Sequence, residues 1–100
     1  MSLQDITTEM RNRVEAKGGL KGKTVKFDFG GDGVVRIVGT SEPATVDNEN
    51  GPADCTIAIS MADFIDMSQG KLNPTAAFMG GKLKVQGDMG IAMQLGSILN

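Results

Sequence analysis

The chain has 100 residues, of which 40% are hydrophobic, and its ten basic and twelve acidic side chains give a formal net charge of −2. This length predicts one domain over residues 1–100, and the apolar share predicts a folded core rather than a disordered tail. The slight acidic excess argues against nucleic acid as a partner, because binding to nucleic acid needs a basic face. No run of about eighteen apolar residues occurs, so no segment is expected to span a bilayer.

The cysteine content and the two termini indicate a cytoplasmic protein. A single cysteine, Cys55, cannot form an intramolecular disulfide, which suits a reducing compartment. The first residues lack the charged start and apolar stretch of a secretory signal, and the last residues carry no peroxisomal address. We therefore expect a soluble cytoplasmic protein.

The first half of the chain predicts one helix and three strands. Residues 2–16 form the helix, with Ser2 and Asp5 as a capping box and a narrow apolar stripe of roughly 80° that places it on the outside of the core. Two-residue alternation predicts strands over 23–29, 34–38 and 45–46, with a glycine-rich turn over 30–33. The second strand is apolar on both sides, which predicts cover on both of its faces.

The second half predicts a strand, two short helices, a last strand and a final helix. In chain order these are a strand over 55–60, a helix that Ser60 caps and Gly70 closes, a helix over 73–79, a strand over 82–86, and a helix that Asp88 caps. The periodicity changes from two residues to a helical repeat at Ser60, which marks the end of the strand.

The final helix is more apolar than one packing surface requires. Its apolar residues sweep an arc of roughly 220°, whereas a helix resting on a sheet needs about 100°. A second apolar partner must therefore contact it. The periodicity leaves three choices open: another part of the core, a second subunit, or a lipophilic ligand.

Groups that usually carry catalysis are missing from the sequence. There is no histidine, which is the commonest general base and metal ligand, and Cys55 lies inside an apolar strand, where a thiol is usually inert. The segment 47–51 resembles a calcium loop, but its glycine is one position early and Ala58 stands where the loop needs a glutamate. We expect no catalytic residues, no metal site, no cofactor and no enzymatic activity.

Four segments of the chain resemble one known family. They are residues 53–57 (ADCTI), 70–74 (GKLNP), 77–85 (AFMGGKLKV) and 87–93 (GDMGIAM). In this order and spacing they closely resemble the sterol carrier protein type 2 family of non-specific lipid-transfer domains. The resemblance is dense from Ala53 to Leu95 and looser before residue 46.

The resemblance implies an α/β (α+β) fold, with a single five-stranded mixed sheet, helices packed on it, and an apolar tunnel between sheet and helices. Members of the family bind fatty acids, acyl-CoA esters, sterols and phospholipids with little discrimination. The chain is shorter than the fullest members and lacks the peroxisomal tail of the eukaryotic ones. We therefore expect an acyl or isoprenoid-type lipid rather than a sterol as the ligand.

A lipid carrier of this family implies an apolar tunnel wall and few lasting partners. We expect the wall to include these residues: Phe27, Met61, Phe64, Ile65, Met67, Phe78, Met79, Met89, Met93 and Leu95. Methionine side chains would adapt the wall to ligands of different shape. The expected partners are the lipid or fatty-acyl ligand and, transiently, a membrane, and the expected state is a monomer or a weak dimer.

Two other functions fit the same residues. In a dimerisation module, Ile91, Leu95, Ile98 and Leu99 would pack against a second chain. In an accessory domain, the bound lipid would be presented to a separate enzyme. The sequence does not choose between these and the carrier.

Overall fold

The computed structural model is a five-stranded sheet with helices packed against one face. It describes residues 2–17, 22–40 and 44–99, with the backbone alone for Lys17, Pro74 and 95–99. The elements in chain order are α1 (Leu3–Lys17), β1 (Thr24–Asp28), β2 (Val34–Val38), β3 (Thr45–Asp47), β4 (Cys55–Ile59), α2 (Met61–Ser68), α3 (Pro74–Met79), β5 (Leu83–Gly87) and α4 (Met89–Leu99). These bounds confirm the predicted elements to within one or two residues.

The sheet is mixed, and its strand order is β3-β2-β1-β4-β5. The neighbours β1 and β4 are parallel, whereas the other three pairs are antiparallel. In the register, Phe27 of β1 lies beside Val35 of β2 and Ile57 of β4, and Ile57 lies beside Val85 of β5. The alternating apolar residues of the central strands therefore share one face.

That shared face forms the core together with the helices. Phe27 and Val35 are fully buried, and the helices contribute buried side chains to the same cluster. These are Ile6, Met10 and Val14 of α1, Phe64 and Met67 of α2, Ala77 of α3, and Ile91 of α4. The predicted capping box of α1 is present, because the backbone N–H of Asp5 donates to Ser2 Oγ and the Ser2 N–H donates to the Asp5 carboxylate.

The opposite face of the sheet is crossed by the connection from β3 to β4. Lys26 of β1 donates from Nζ to the side chain of Asn50 (3.0 Å) and to the carbonyl of Gly51 (3.2 Å). Arg36 of β2 donates to the carboxylates of Asp47 and Glu49. We call residues 48–52 the crossover segment.

The crossover segment corrects one detail of the predicted packing. The sequence predicts that β2 is covered on both faces, and Val34 is indeed buried. The residues that cover Val34 on the outer face are polar, however, since Asn48 donates from Nδ2 to the Val34 carbonyl. At the other end of the strand, Val38 is only half-buried. Residue pattern alone does not show that a polar connection provides this cover.

Candidate functional site

Helix α3 carries two large apolar side chains on its outer surface. Asn73 caps the helix and accepts a 2.8 Å hydrogen bond from the backbone N–H of Thr75. Ala77 is 1% exposed and attaches the helix to the core, whereas Phe78 is 45% exposed and Met79 is 81% exposed. The end of α3 that precedes β5 therefore presents apolar surface to solvent.

Helix α4 is apolar on both its inner and its outer sides. Ile91 is 3% exposed and Ala92 packs against the core, where α4 contacts α1, β4 and β5. On the outer side Met89 is 48% exposed and Met93 is 83% exposed. Asp88 caps the helix by accepting a 2.9 Å hydrogen bond from the N–H of Gly90.

The turn between β5 and α4 is fixed by a glycine. Gly87 has a φ of +101°, in the region that favours glycine, and a Cβ there would collide with the backbone carbonyl oxygen of Asp54. The same carbonyl accepts a 3.1 Å hydrogen bond from the N–H of Asp88. This close approach sets where α4 begins relative to β4.

Beneath the helices, aromatic side chains fill the middle of the core. The ring of Phe64 packs edge-on against Phe27 and Phe29, with centroids 5.2 Å apart in both pairs. The other predicted wall residues of α2 are Met67, which is buried, and Met61 and Ile65, which are half-buried. This part of the core is tightly packed.

A small cavity lies between α1 and α2. It holds about 10 Å³, near the lower limit for one water molecule, and Ile6, Met10 and Phe64 form its apolar wall. This cavity, as the described residues line it, has room for about one water molecule at most.

A larger open groove lies where β1 and β4 end and β5 begins. It has a volume of about 400 Å³ and is lined by Asp28, Phe29, Gly30, Ala58, Ile59, Ser60, Gly81, Lys82 and Lys84. Lys82 and Lys84 alternate with the buried Leu83, so both project away from the core face. The groove combines two cations and one carboxylate with an apolar floor.

The residues predicted for the tunnel wall separate into two groups. Phe27, Phe64 and Met67 are buried in the core, with Met61 and Ile65 beside them. Phe78, Met79, Met89 and Met93 are exposed on α3 and α4. The side chain of Leu95 lies outside the described residues. The assignment of these residues as ligand contacts remains a prediction.

The thiol of Cys55 is unsuited to nucleophilic chemistry. It is fully buried in β4, and this burial, with a smaller contribution from the negative charge of Asp88, raises its pKa. Among the described residues, no group of three or more Cys, Asp or Glu side chains could hold a metal ion. In the same part of the chain, no helix is long and apolar enough to cross a membrane.

One protein family matches nearly the whole chain. The model of the SCP-2 sterol transfer family matches residues 3–100. The chain belongs to the SCP-2 sterol transfer family. This SCP-2 domain is 38% identical over 84 residues to human sterol carrier protein 2, an alignment that covers 82% of the chain and 15% of that relative. The chain spans no more than 16% of the length of the first curated relatives it matches.

Solved structures share the architecture of this SCP-2 domain. A sterol carrier protein domain of Helicoverpa armigera is 26% identical with a TM-score of 0.78, over 95% of this chain and 83% of that one. Sterol carrier protein 2 of Aedes aegypti, solved in complex with the C16 fatty acid palmitate, is 17% identical with a TM-score of 0.76, over 99% and 96% of the two chains. These likenesses confirm the predicted five-stranded mixed sheet with helices.

Sequence reasoning did not assign the groove beside β5. Its residues come from β1, β4 and the turn before β5, which only the strand order brings together. The signal in the sequence was the alternation of Lys82 and Lys84 about Leu83, which places both cations on the outer side of the strand.

Proposed function

We propose that this SCP-2 domain binds a molecule with a long hydrocarbon chain and carries it without altering it. The candidate ligands are a fatty acid, an acyl-CoA ester, a phospholipid or an isoprenoid-type lipid. One observation carries the proposal: among the described residues, the exposed large apolar side chains all lie on the consecutive helices α3 and α4. Large apolar side chains left in solvent on neighbouring elements of the chain favour a place where a partner binds.

The proposed ligand site lies along the outer side of α4. A hydrocarbon chain there would cover Met89 and Met93, and these flexible side chains can adapt to different ligands. Each buried methylene contributes about 0.8 kcal/mol, so a chain of about sixteen carbons gains roughly 10 kcal/mol or more before the costs of ordering and association. We therefore expect micromolar affinity and weak selectivity.

The relatives support this assignment. The Aedes aegypti protein has the same fold and was solved with palmitate bound. We propose a ligand of this class for the present chain.

The lack of a reactive thiol and of a histidine favours a carrier over an enzyme. The buried Cys55 thiol has a raised pKa, which keeps it protonated, and the sequence contains no histidine. We propose that the domain has no enzymatic activity of its own and acts in the cytoplasm.

Titration with a fluorescent fatty acid, followed by displacement with palmitate, tests the proposal. We expect saturable binding, and at least about tenfold weaker binding in Met93→Asp, since a carboxylate would be desolvated against the ligand chain. Asn12→Asp adds the same charge to the exposed surface of α1 and is the matched control, with binding unchanged. Absence of saturable binding, or equal effects of the two substitutions, contradicts the proposal.

A second function is favoured by the same outer side of α4. Ile91, which the sequence predicts for that interface, is buried in the core, and the side chains of Leu95, Ile98 and Leu99 lie outside the described residues. Met89 and Met93 would instead pack against a second copy of the chain, as in a dimerisation module. Size-exclusion chromatography with light scattering distinguishes the two functions. A stable dimer that takes up no fatty acid supports the module, and a monomer that binds fatty acid supports the carrier.

A third function is presentation of the lipid to an enzyme. It is favoured by the small share, 15%, that the domain occupies in a relative such as human sterol carrier protein 2. An assay of an enzyme that acts on the lipid distinguishes this function. Turnover should be faster when the lipid is added bound to the domain than when the same amount of free lipid is added.

A further inference from the structure

Strand β5 lies at one edge of the sheet, and part of its backbone points away from β4. The N–H of Asp88 donates to the carbonyl of Asp54 (3.1 Å), just beyond the last residue pair of this antiparallel ladder. Because bonded and non-bonded pairs alternate along such a ladder, the backbone groups of Lys84 and Gln86 face β4. The N–H and C=O groups of Val85, which lies between them, therefore face the open edge.

The two edges of the sheet differ in how they are covered. At the β3 edge, Arg11 of α1 donates to the carbonyl of Val46 from Nε (3.2 Å) and from Nη2 (3.1 Å). At the β5 edge, the outward N–H and C=O groups of Val85 form no hydrogen bond with any other residue that the structure describes, and Gly87 is exposed. An edge with free backbone donors and acceptors is a template for pairing with another strand.

The outer side of this edge is basic, and its inner side is apolar. Residues 80–87 contain two lysines, Lys82 and Lys84, and no acidic residue. Both lysines are exposed, and neither forms an ion pair within the described part of the chain. The alternating residues Leu83 and Val85 belong to the core side, where Leu83 is buried and Val85 packs against the core.

We propose that the edge of β5 binds an extended acidic segment of a partner protein, which adds to the sheet as a further strand. The backbone of this segment would form hydrogen bonds with the outward groups of Val85. Because side chains alternate along a strand, acidic ones would lie beside Lys84 on the outer side and apolar ones beside Val85 on the inner side. The edge therefore selects a segment in which acidic and apolar residues alternate.

The nearest carboxylate in the same row of the sheet leaves Lys84 available. Asp28 of β1 pairs with Ala58 of β4, which pairs with Lys84, so one strand separates the two charged residues. Neighbouring strands lie about 4.8 Å apart, which places an added strand about half as far from β5 as β1 is. In addition, Oδ1 of Asp28 accepts a 2.8 Å hydrogen bond from the N–H of Gly30.

A second copy of the chain fits this edge less well than an acidic segment does. Pairing of β5 with its own copy would bring together two strands that carry lysines and no acidic residue. Like charges on neighbouring strands oppose pairing, and lysines on an edge strand are a common barrier to self-association. The charge of the edge therefore favours an acidic partner.

Hydrogen exchange measured by NMR, with a short peptide of alternating glutamate and valine as the probe, tests the proposal. The Val85 amide should exchange at least about tenfold more slowly with the peptide present, because its N–H gains an acceptor. The Lys84 amide already faces β4 and should change little. A peptide with lysine in place of glutamate should bind at least about tenfold more weakly than the acidic peptide.

Two substitutions separate the backbone contribution from the charge contribution. Val85→Pro removes the outward N–H and no donor to β4, so it should weaken peptide binding at least about tenfold while circular dichroism shows an intact sheet. Lys84→Glu should weaken binding of the acidic peptide about tenfold and strengthen binding of the lysine peptide by a similar factor. Lys23→Gln removes an exposed lysine before β1 and should leave both affinities unchanged.

The charge reversal at Lys84 keeps the test decisive even if the proline variant fails to fold. Equal binding of the two peptides by the parent, or an unchanged preference in Lys84→Glu, overturns the proposal. A Val85 amide whose protection rises with protein concentration in the absence of peptide also overturns it, because a second copy would then occupy the edge.

Discussion

The pair formed by Arg36 and Asp47 shows how single residues hold the crossover segment in place. Arg36 donates from Nε to Asp47 Oδ1 (3.0 Å) and from Nη2 to Asp47 Oδ2 (2.9 Å), and Nη2 also reaches Glu49 at 3.0 Å. Such a two-point contact is stronger and more directional than a single ion pair. The hydrogen bond from Arg36 lowers the pKa of Asp47, and the same bond raises the pKa of Arg36.

The lowered pKa of Asp47 predicts that the free energy of unfolding decreases at acidic pH. The unfolded chain binds this proton at a higher pH than the folded chain does, so the contribution is present above about pH 4 and is lost as the pH falls through the folded pKa. Asp47→Asn should lower the free energy of unfolding at pH 7 by about 0.5–1 kcal/mol. The difference from the parent should shrink as the pH falls from about 4 through the lowered pKa of Asp47.

Thermal unfolding across this pH range measures the effect of Asp47. Asp66→Asn is the control, because Asp66 is exposed and makes no ion pair within the described residues. A constant difference between the Asp47 variant and the parent at every pH would contradict the assigned role.

At the scale of elements, α3 depends strongly on its first turn. The helix has six residues, and the side chain of Asn73 accepts from the N–H groups of Thr75 and Ala76. So short a helix has little stability of its own apart from its cap and the burial of Ala77.

Asn73→Ala should therefore loosen α3 selectively. We expect a loss of about 1 kcal/mol in the free energy of unfolding, since the Asn73 side chain accepts from backbone N–H groups that would otherwise lack a partner. Hydrogen exchange should accelerate at the amides of Ala77 and Gly80 before it does so in β1. Asn12→Ala, on the exposed surface of α1, should leave exchange in α3 unchanged, and uniform acceleration over the whole chain would contradict a local role.

The helices and strands were predictable because their signals are local. Ser60 accepts from the N–H of Asp63 at 3.1 Å, as a helix cap predicts, and β1 alternates as a half-buried strand should. The strand order was available only through the family resemblance, because pairing of β1 with β4 joins residues about thirty positions apart. The exposure of Met79 and Met93 could not be predicted, since an apolar arc does not show which of its edges the core covers.

At the scale of the whole molecule, packing is uneven. Where α1 and α2 meet the sheet, the ring of Phe64 packs edge-on against Phe27 and Phe29, and the cavity that the described residues of the two helices line holds only about 10 Å³. On α3 and α4, by contrast, large apolar side chains remain uncovered. A ligand that covers this half of the molecule would complete the burial that the protein's own residues leave unfinished.

Completion of the core by a ligand predicts that lipid stabilises the fold. A ligand that binds only the folded chain adds about 2.7 kcal/mol at a concentration one hundred times its Kd, which corresponds to a rise in Tm of about 10–20 °C for a domain of this length. Scanning calorimetry with increasing palmitate measures this rise, with Asn12→Asp behaving like the parent and Met93→Asp responding only at higher concentrations. If the domain dimerises and binds no lipid, Tm should depend on the protein concentration and not on palmitate. The reason is that the folding equilibrium shifts only with the concentration of a molecule that binds the folded chain, which would then be a second copy of the protein.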